Sequence, residues 1–169
     1  EVPECTFTIM STYNALSVGS YMNFLEDIVA IKKKYGGANG RNSPLILDTP
    51  YLRYPAYQAI FVLPNSWAEK VKDQVTYVYR NLENPAWAET ANSGFYTWEA
   101  DKFKRLYELL STKQDIGDKV TQYHKDLVAF VDEHDKRRGT NFLETFPEYA
   151  ELYHHWKATP INFNHDEQQ

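Results

Sequence analysis

The polar residues best placed to do chemistry include the stretch Asp48-Thr49-Pro50-Tyr51-Leu52-Arg53-Tyr54-Pro55. It directly follows Leu45-Ile46-Leu47, an apolar run typical of a buried parallel strand. Because α/β folds place binding sites at the carboxyl ends of such strands, this stretch predicts a substrate site. The candidate substrate-binding residues are Asp48, Tyr51, Arg53 and Tyr54. An ion pair between Asp48 and Arg53 inside a proline-stiffened loop is the structural alternative, and both remain open.

A second polar stretch runs from Glu133 to Glu148 and contains Lys136-Arg137-Arg138-Gly139. Arg137 and Arg138 are candidates to clamp a carboxylate or phosphate of the substrate bidentately. The same cations suit the end of a helix, with Gly139 as its C-cap, so a structural turn is the favoured interpretation. Nearby carboxylates would then hold both arginines. The candidates are Asp132, Glu133, Asp135, Glu144 and Glu148.

The sequence carries no familiar catalytic or metal-binding signature. The histidines show no H-E-x-x-H spacing, and there is no G-x-S-x-G elbow, P-loop or G-x-G-x-x-G. The single Cys5 cannot form an internal disulfide, and it cannot supply the several thiolates that an iron–sulfur cluster usually needs. We therefore predict no metal site built by this chain alone.

Composition narrows the class of protein. Hydrophobic residues make up 43% and charged residues 24%, which is typical of a globular chain. A net charge of −5 makes nucleic acid an improbable partner, because phosphate binding needs a basic face. The longest apolar run, from Ala59 to Leu63, is far shorter than the roughly 20 residues of a membrane helix. With no leader or glycosylation sequon in the sequence, we predict a cytoplasmic protein.

The N-terminal elements that would position these residues form a βαβ unit. The alternation from Thr6 to Thr12 predicts a strand, and the apolar period from Ser20 to Tyr35 predicts a helix that leads to the strand at Leu45-Ile46-Leu47. Another strand is predicted from Tyr57 to Leu63. The loop before it is too short for a parallel crossover, so it should pair antiparallel or leave the sheet. Ser11-Thr12-Tyr13-Asn14, after the first strand, contains groups that bind ligands or cap a helix.

The rest of the chain is predicted to be helical. Ser66-x-x-Glu69 is a capping box that should begin a helix, and the last helix should begin at Pro147. Between them, apolar stripes run from Tyr96 to Leu110 and from Val120 to His134. The predicted organisation is an α/β segment over residues 1–64, a helical extension over 65–157 and a frayed tail over 158–169.

Three stretches in this order resemble a group of phage and bacterial radical S-adenosylmethionine proteins of poorly defined substrate. They are Phe7-Thr8-Ile9-Met10-Ser11-Thr12-Tyr13-Asn14-Ala15-Leu16, Leu47-Asp48-Thr49-Pro50-Tyr51-Leu52-Arg53-Tyr54-Pro55 and Glu133-His134-Asp135-Lys136-Arg137-Arg138-Gly139-Thr140-Asn141-Phe142-Leu143. The resemblance spans about Thr6 to Trp156 and is strongest in the third stretch. It implies an α/β fold that is the remnant of a partial (β/α) barrel, with a short, mostly parallel sheet and a helical C-terminal extension.

In that group, three cysteines spaced C-x-x-x-C-x-x-C hold a [4Fe–4S] cluster whose free iron binds S-adenosylmethionine. This chain departs from the pattern because Cys5 is its single cysteine. The cluster would therefore belong to residues outside this sequence. Late barrel strands contact the adenine and ribose side of the cofactor, so the resemblance implies that Ser11, Thr12 and Asn14 are the cofactor-binding residues.

Two hypotheses follow. In the first, the chain is the C-terminal part of a radical S-adenosylmethionine enzyme and supplies part of the cofactor site and the substrate pocket. It is then not catalytic on its own, and its partner is a missing N-terminal half or another protein. In the second, it is a non-catalytic interaction or structural module of a larger assembly. Whether the chain is a fragment, a degenerate relative or a complete protein stays open.

Overall fold

The computed structural model describes residues 5–35, 44–82, 94–112 and 119–160. The regular elements are β1 Phe7–Met10, α1 Tyr21–Tyr35, β2 Leu45–Asp48, α2 Ala68–Arg80, α3 Thr97–Ser111, α4 Lys119–Arg138, α5 Phe142–Thr145 and α6 Ala150–Ala158. Short 3₁₀ turns occupy Ala56–Gln58, Ile60–Val62, Asn65–Trp67 and Pro147–Tyr149. The described fold is mixed α/β, mostly helical, with one short parallel sheet. No helix in these ranges is long and apolar enough to cross a bilayer.

The predicted βαβ unit is confirmed. Strands β1 and β2 pair in parallel, with Phe7 opposite Leu45 and Met10 opposite Asp48. An isolated parallel bridge between Tyr13 and Tyr51 carries the pairing past the strand ends. Helix α1 connects the two strands, as the sequence predicted. The loops that follow β1 and β2 therefore leave the same end of the sheet.

Helix α1 packs on the sheet through the stripe that its sequence predicts. Leu25, Ile28 and Val29 are buried on one face of the helix. Lys32 continues that face, since it follows Ile28 and Val29 at helical spacing, and its side chain is fully buried. The sequence alone does not predict a buried lysine at this position.

One apolar core connects the βαβ unit to the helices after it. The Tyr13 ring lies edge-on to the rings of Tyr21 and Phe103, with centroids 4.7 and 6.4 Å away. At the C-terminal side, the buried Tyr149 hydroxyl donates a hydrogen bond to the Ala15 carbonyl oxygen. The Tyr149 ring also packs against Trp67. The C-terminal helices are thus anchored to the loop that follows β1.

Two local predictions are wrong. Residues 57–63 form no strand but the two turns Ala56–Gln58 and Ile60–Val62, which take the chain out of the sheet. A short apolar run does not by itself distinguish a strand from tight turns that bury the same side chains. The capping box at Ser66 is also absent: α2 begins at Ala68, and its cap residue Trp67 makes no side-chain hydrogen bond. The Ser66 segment instead forms a 3₁₀ turn.

The C-terminal helices are predicted more accurately. Helix α4 contains the stripe that begins at Val120, and helix α3 contains the stripe that begins at its cap residue Tyr96. Pro147 begins a 3₁₀ turn, and the last helix follows from Ala150. Gly139 ends α4 with φ of 65°. The last nine residues of the predicted frayed tail, 161–169, lie outside the described residues.

Candidate functional site

A groove of about 520 Å³ lies beside the carboxyl end of the sheet, and we call it the strand-end groove. Its polar lining comes from Ser11, Asn14, Ser17, Ser20, Tyr21 and Gln58. Its apolar lining comes from Leu16, Phe24, Phe130 and Phe146. The volume falls within the roughly 300–1,000 Å³ of small-molecule sites, which combine apolar walls with a few polar groups in this way.

Asn14 gives the loop after β1 its shape. Its side-chain oxygen accepts a hydrogen bond from the Leu16 backbone amide at 2.8 Å, and the backbone amide of Asn14 donates to the Ser17 hydroxyl at 3.2 Å. These bonds form the kind of local turn that asparagine and serine favour. Asn14 and Ser17 still line the groove, so the loop-capping and ligand-binding interpretations of this stretch are compatible.

The hydroxyl groups of Ser11, Tyr21 and Thr49 lie close together, and Ser11 and Tyr21 line the strand-end groove. The Tyr21 side chain is 5% exposed, and burial raises the pKa of its hydroxyl, while Ser11 and Thr49 nearby act to lower it. Within the described residues, no hydrogen bond of standard geometry reaches the Tyr21 or Thr49 hydroxyl oxygen. Buried polar groups are normally paired, so these two hydroxyl groups are exceptions within the described residues. Half-buried Ser11 is the member of the cluster nearest to solvent.

Thr12 lies apart from the other two predicted cofactor-binding residues. Its side chain is exposed, and it does not belong to the lining of the strand-end groove. Its backbone oxygen accepts a hydrogen bond from the Asn14 side chain at 3.4 Å. The structure therefore brings Ser11 and Asn14 together at the groove and leaves Thr12 on the adjoining surface.

The stretch from Asp48 to Tyr54 at the end of β2 makes contacts of its own outside the strand-end groove. Asp48 forms an ion pair with Lys102 of α3, so the alternative pairing of Asp48 with Arg53 is wrong. Arg53 lies over the Tyr51 ring at 4.8 Å and donates to the Tyr51 hydroxyl. Tyr54 is 87% exposed and precedes a cis proline. These four residues form a polar and aromatic surface at the same end of the sheet.

A second groove, of about 580 Å³, lies along α4, and we call it the α4 groove. Its lining residues are Tyr57, Asp126, Ala129, Phe130, Glu133, His134, Arg137 and Arg138. Arg137 pairs with Glu133 one helical turn earlier at 2.6 Å, which confirms the predicted carboxylate partner for this arginine. For Arg138, the described part of the chain provides no such carboxylate, and the prediction of a paired Arg138 is not met.

The turn at Gly139 joins α4 to the helices after it, as predicted. The Asp135 carboxylate accepts hydrogen bonds from the Thr140 hydroxyl at 2.7 Å and from the Phe142 amide at 2.6 Å. These two bonds hold the pKa of Asp135 below its ordinary value. The positive φ of Gly139 is a conformation that a residue with a Cβ adopts at a cost. The local structure thus fixes the orientation of the last turn of α4, which carries Arg137 and Arg138.

The two grooves adjoin at Phe130, which lines both of them. Phe130 belongs to the apolar stripe from Val120 to His134, yet its side chain is 39% exposed. A signal was present, because Phe130 shares a helical face with Asp126, Glu133 and Arg137. Tyr57 and Gln58 were also missed, since the sequence placed them in a strand that is not formed.

Two side chains from helices α1 and α3 cover the outer edge of strand β2. The buried Lys32 ammonium donates to the Leu45 carbonyl oxygen at 2.7 Å and to the Glu99 carboxylate at 3.0 Å. Glu99 in turn accepts from the Leu47 amide at 2.5 Å and from the Tyr96 amide at 2.6 Å. Both charged side chains are fully buried. The pair satisfies backbone groups that a further strand would otherwise bond.

The available donor groups do not fit an iron–sulfur cluster. The single cysteine, Cys5, is exposed. Across residues 5–35, 44–82, 94–112 and 119–160, no three histidine, cysteine, aspartate or glutamate side chains group as a metal site. A cluster with several thiolate ligands would need cysteines from outside this sequence.

Comparison of the chain with models of protein families, with curated proteins and with solved structures finds no match. The two grooves and the residues that line them are therefore the features from which a function can be inferred.

Proposed function

We propose that this chain supplies the adenosyl side of an S-adenosylmethionine site, and the adjoining substrate groove, in a radical S-adenosylmethionine enzyme. The observation that carries the proposal is the strand-end groove, which gathers Ser11 and Asn14 at the carboxyl end of a parallel strand pair. Binding sites of open and closed α/β sheets lie at this end.

The lining of the groove suits an adenosine group. Ser17, Ser20 and Gln58 add hydroxyl and amide groups that can bond ribose hydroxyls and purine nitrogens. Phe24 and Phe146 provide aromatic surface for the purine ring. When bound and reduced by its cluster, the cofactor would supply the adenosyl radical, whereas the residues of this chain would bind and orient the adenosyl group.

The cluster itself belongs elsewhere in this proposal. One cysteine cannot hold it, so the chain as given should be colourless and free of iron after anaerobic reconstitution. Stoichiometric iron with the broad visible absorption of a cluster would contradict this assignment.

The outer edge of β1 is where the rest of the protein would attach. The amides of Phe7, Ser11 and Tyr13 donate to the β2 side, to Pro44, Asp48 and Pro50. Successive residues of a strand point in alternate directions, so the backbone groups of Thr8 and Met10 point away from β2.

The side chains on β1 are also open to a neighbour. The Phe7 side chain is 64% exposed and that of Met10 is 70% exposed, although both are large and apolar. Parallel sheets are normally covered on both faces and seldom consist of two short strands. A further parallel strand, from an N-terminal half or a partner protein, would continue the sheet toward a partial barrel.

This open edge is equally what a non-catalytic interaction module would use, so the module remains the second candidate. Cofactor binding separates the two. The module hypothesis requires a partner strand but no ligand in the strand-end groove, whereas the enzyme hypothesis requires both.

The test is calorimetric titration of the 169-residue chain with S-adenosylmethionine and with 5′-deoxyadenosine. The blocking variant is Ser20→Trp, because Ser20 is exposed and lies in the lining of the groove. Ser66→Trp is the matched control, since Ser66 is an exposed serine outside that lining. We expect one site for each compound, lost in Ser20→Trp and retained in Ser66→Trp. Absence of binding to the parent chain, or an equal loss in both variants, would reject the cofactor site.

A further inference from the structure

Among the residues that the structure describes, no carboxylate pairs with the Arg138 guanidinium of the α4 groove. Arg137 is paired with Glu133. The other carboxylate of the lining, Asp126, accepts a hydrogen bond from the neutral Gln122 amide at 2.7 Å and keeps its charge, but it precedes Arg138 by twelve residues, about 18 Å along the helix axis. Arg138 lies in the same lining, is exposed, and has no carboxylate partner among the described residues. A guanidinium group with free donors is suited to bidentate binding of a carboxylate or phosphate.

Next to this cation lies an aromatic surface. The rings of Tyr57 and Phe130 have centroids 5.7 Å apart at an interplanar angle of 44°. The His134 ring lies 6.4 Å from the Phe130 ring. Phe130 is partly exposed and forms the boundary with the strand-end groove. A planar group lying on Phe130 would therefore be next to the proposed adenosyl site.

The helix sets the separation between the aromatic surface and the cation. Arg138 follows Phe130 by eight residues on α4, which corresponds to about 12 Å along the axis. Long side chains on a helix lean toward its N-terminus, so the Arg138 guanidinium can reach back toward Phe130. The two features are then within the span of one small molecule.

We infer that the α4 groove binds a small anionic ligand with a planar ring, the ring on Phe130 and Tyr57 and the phosphate or carboxylate on Arg138. This inference rests on the proposed function in one respect: it makes that ligand the substrate class of the enzyme. The position of Phe130 between the two grooves would place the ring beside the cofactor.

The experiment titrates the 169-residue chain with four probes. Uridine 5′-monophosphate carries a ring and a phosphate, and 3-(4-hydroxyphenyl)propionate carries a ring and a carboxylate. Uridine and inorganic phosphate are the separate parts of the nucleotide. We expect at least one of the first two probes to bind. If the nucleotide binds, it should do so about tenfold more tightly than uridine or inorganic phosphate alone.

The variant Arg138→Gln removes the charge, and Lys136→Gln is the control, because Lys136 is exposed in the same turn but outside the groove lining. We expect Arg138→Gln to weaken the ring-bearing anion about tenfold and Lys136→Gln to change it less than about twofold. The thermal midpoint of Arg138→Gln should match that of the parent, since Arg138 makes no ion pair within the described residues.

Two results would overturn the inference: neither ring-bearing anion binds, or both variants weaken binding equally. Failure of the cofactor proposal gives a different pattern. In that case S-adenosylmethionine would not bind, whereas the ring-bearing anion would still bind in a manner that depends on Arg138.

Discussion

The two edges of the sheet differ in how their outward backbone groups are bonded. At the β2 edge, the buried Lys32 and Glu99 side chains bond the Leu45 carbonyl oxygen and the Leu47 amide. At the β1 edge, the described chain provides no partner for the outward backbone groups of Thr8 and Met10. Exposed edges are sites where another strand can pair. Within the described residues, the sheet is thus closed at the β2 edge by its own side chains, whereas no strand pairs with the outer edge of β1.

The largest effect should come from breaking the closed edge. Glu99→Gln or Lys32→Met leaves one charge buried without its counterion, and each single change should cost about 3–5 kcal/mol of unfolding free energy. The double variant Lys32→Met/Glu99→Leu should cost less than the sum of the single changes, because it removes both charges. Denaturant unfolding of the three variants measures this. Additive losses would show that Lys32 and Glu99 do not stabilise each other in the folded state.

A substitution at Gly139, in the turn after α4, gives a loss of stability with which the effects at the sheet edges can be compared. Gly139→Val forces a β-branched residue into a positive φ, and should cost about 1–2 kcal/mol. Nothing lies within 4 Å of the added Cβ, so the cost comes from the backbone conformation. Thermal unfolding should show a larger loss than for Lys136→Ala. If the two variants melt alike, the positive φ is not maintained in solution.

A proline should cost less stability at Thr8, on the outer edge of β1, than at Ile9, whose amide bonds to β2. In Thr8→Pro the lost amide hydrogen points away from β2, so the free energy of unfolding should fall by no more than about 1 kcal/mol. In Ile9→Pro the lost amide lies within the β1–β2 ladder, and the fall should be larger. Equal losses in chemical unfolding would mean that the two amides are not in different environments.

The smallest effect is the dependence of the unfolding free energy on pH that comes from Asp135 in the turn after α4. Hydrogen bonds from Thr140 and Phe142 lower the pKa of Asp135 from its ordinary 3.8. A depressed carboxyl pKa stabilises the folded state above that ordinary value, and the contribution disappears as the pH falls through the lower folded pKa. Stability should therefore decline below about pH 4, and less steeply in Asp135→Asn. An unchanged slope in Asp135→Asn, measured by unfolding at successive pH values, would contradict this assignment.

The sequence predicted the βαβ unit because each of its elements has the apolar period of its type. It did not predict the ion pair, since Lys32 belongs to Lys32-Lys33-Lys34, which also suits a solvated helix end. Its buried partner Glu99 lies 67 residues later, and spacing along the chain gives no sign of such a contact. The helical spacing of Leu25, Ile28 and Val29 does place Lys32 on the buried face, because Lys32 lies four residues after Ile28 and three after Val29.

Part of each candidate site was predicted because the helices and strands that position it were predicted correctly. Ser11, Asn14, Arg137 and Arg138 lie next to elements that were correctly identified, and they line the two grooves. Tyr57 and Gln58 were missed because a tight turn replaces the predicted strand. The junction at Phe130 depends on tertiary packing, which a helical period alone does not reveal.

The most direct test of the contrast between the two edges is amide hydrogen exchange of the isolated 169-residue chain, followed residue by residue by NMR. We expect the Leu47 and Ile9 amides to be protected and the Thr8 and Met10 amides to exchange at nearly the rate of an unstructured chain. Protection of Thr8 and Met10 in the monomer would contradict the account, because it would show that the chain covers its own β1 edge.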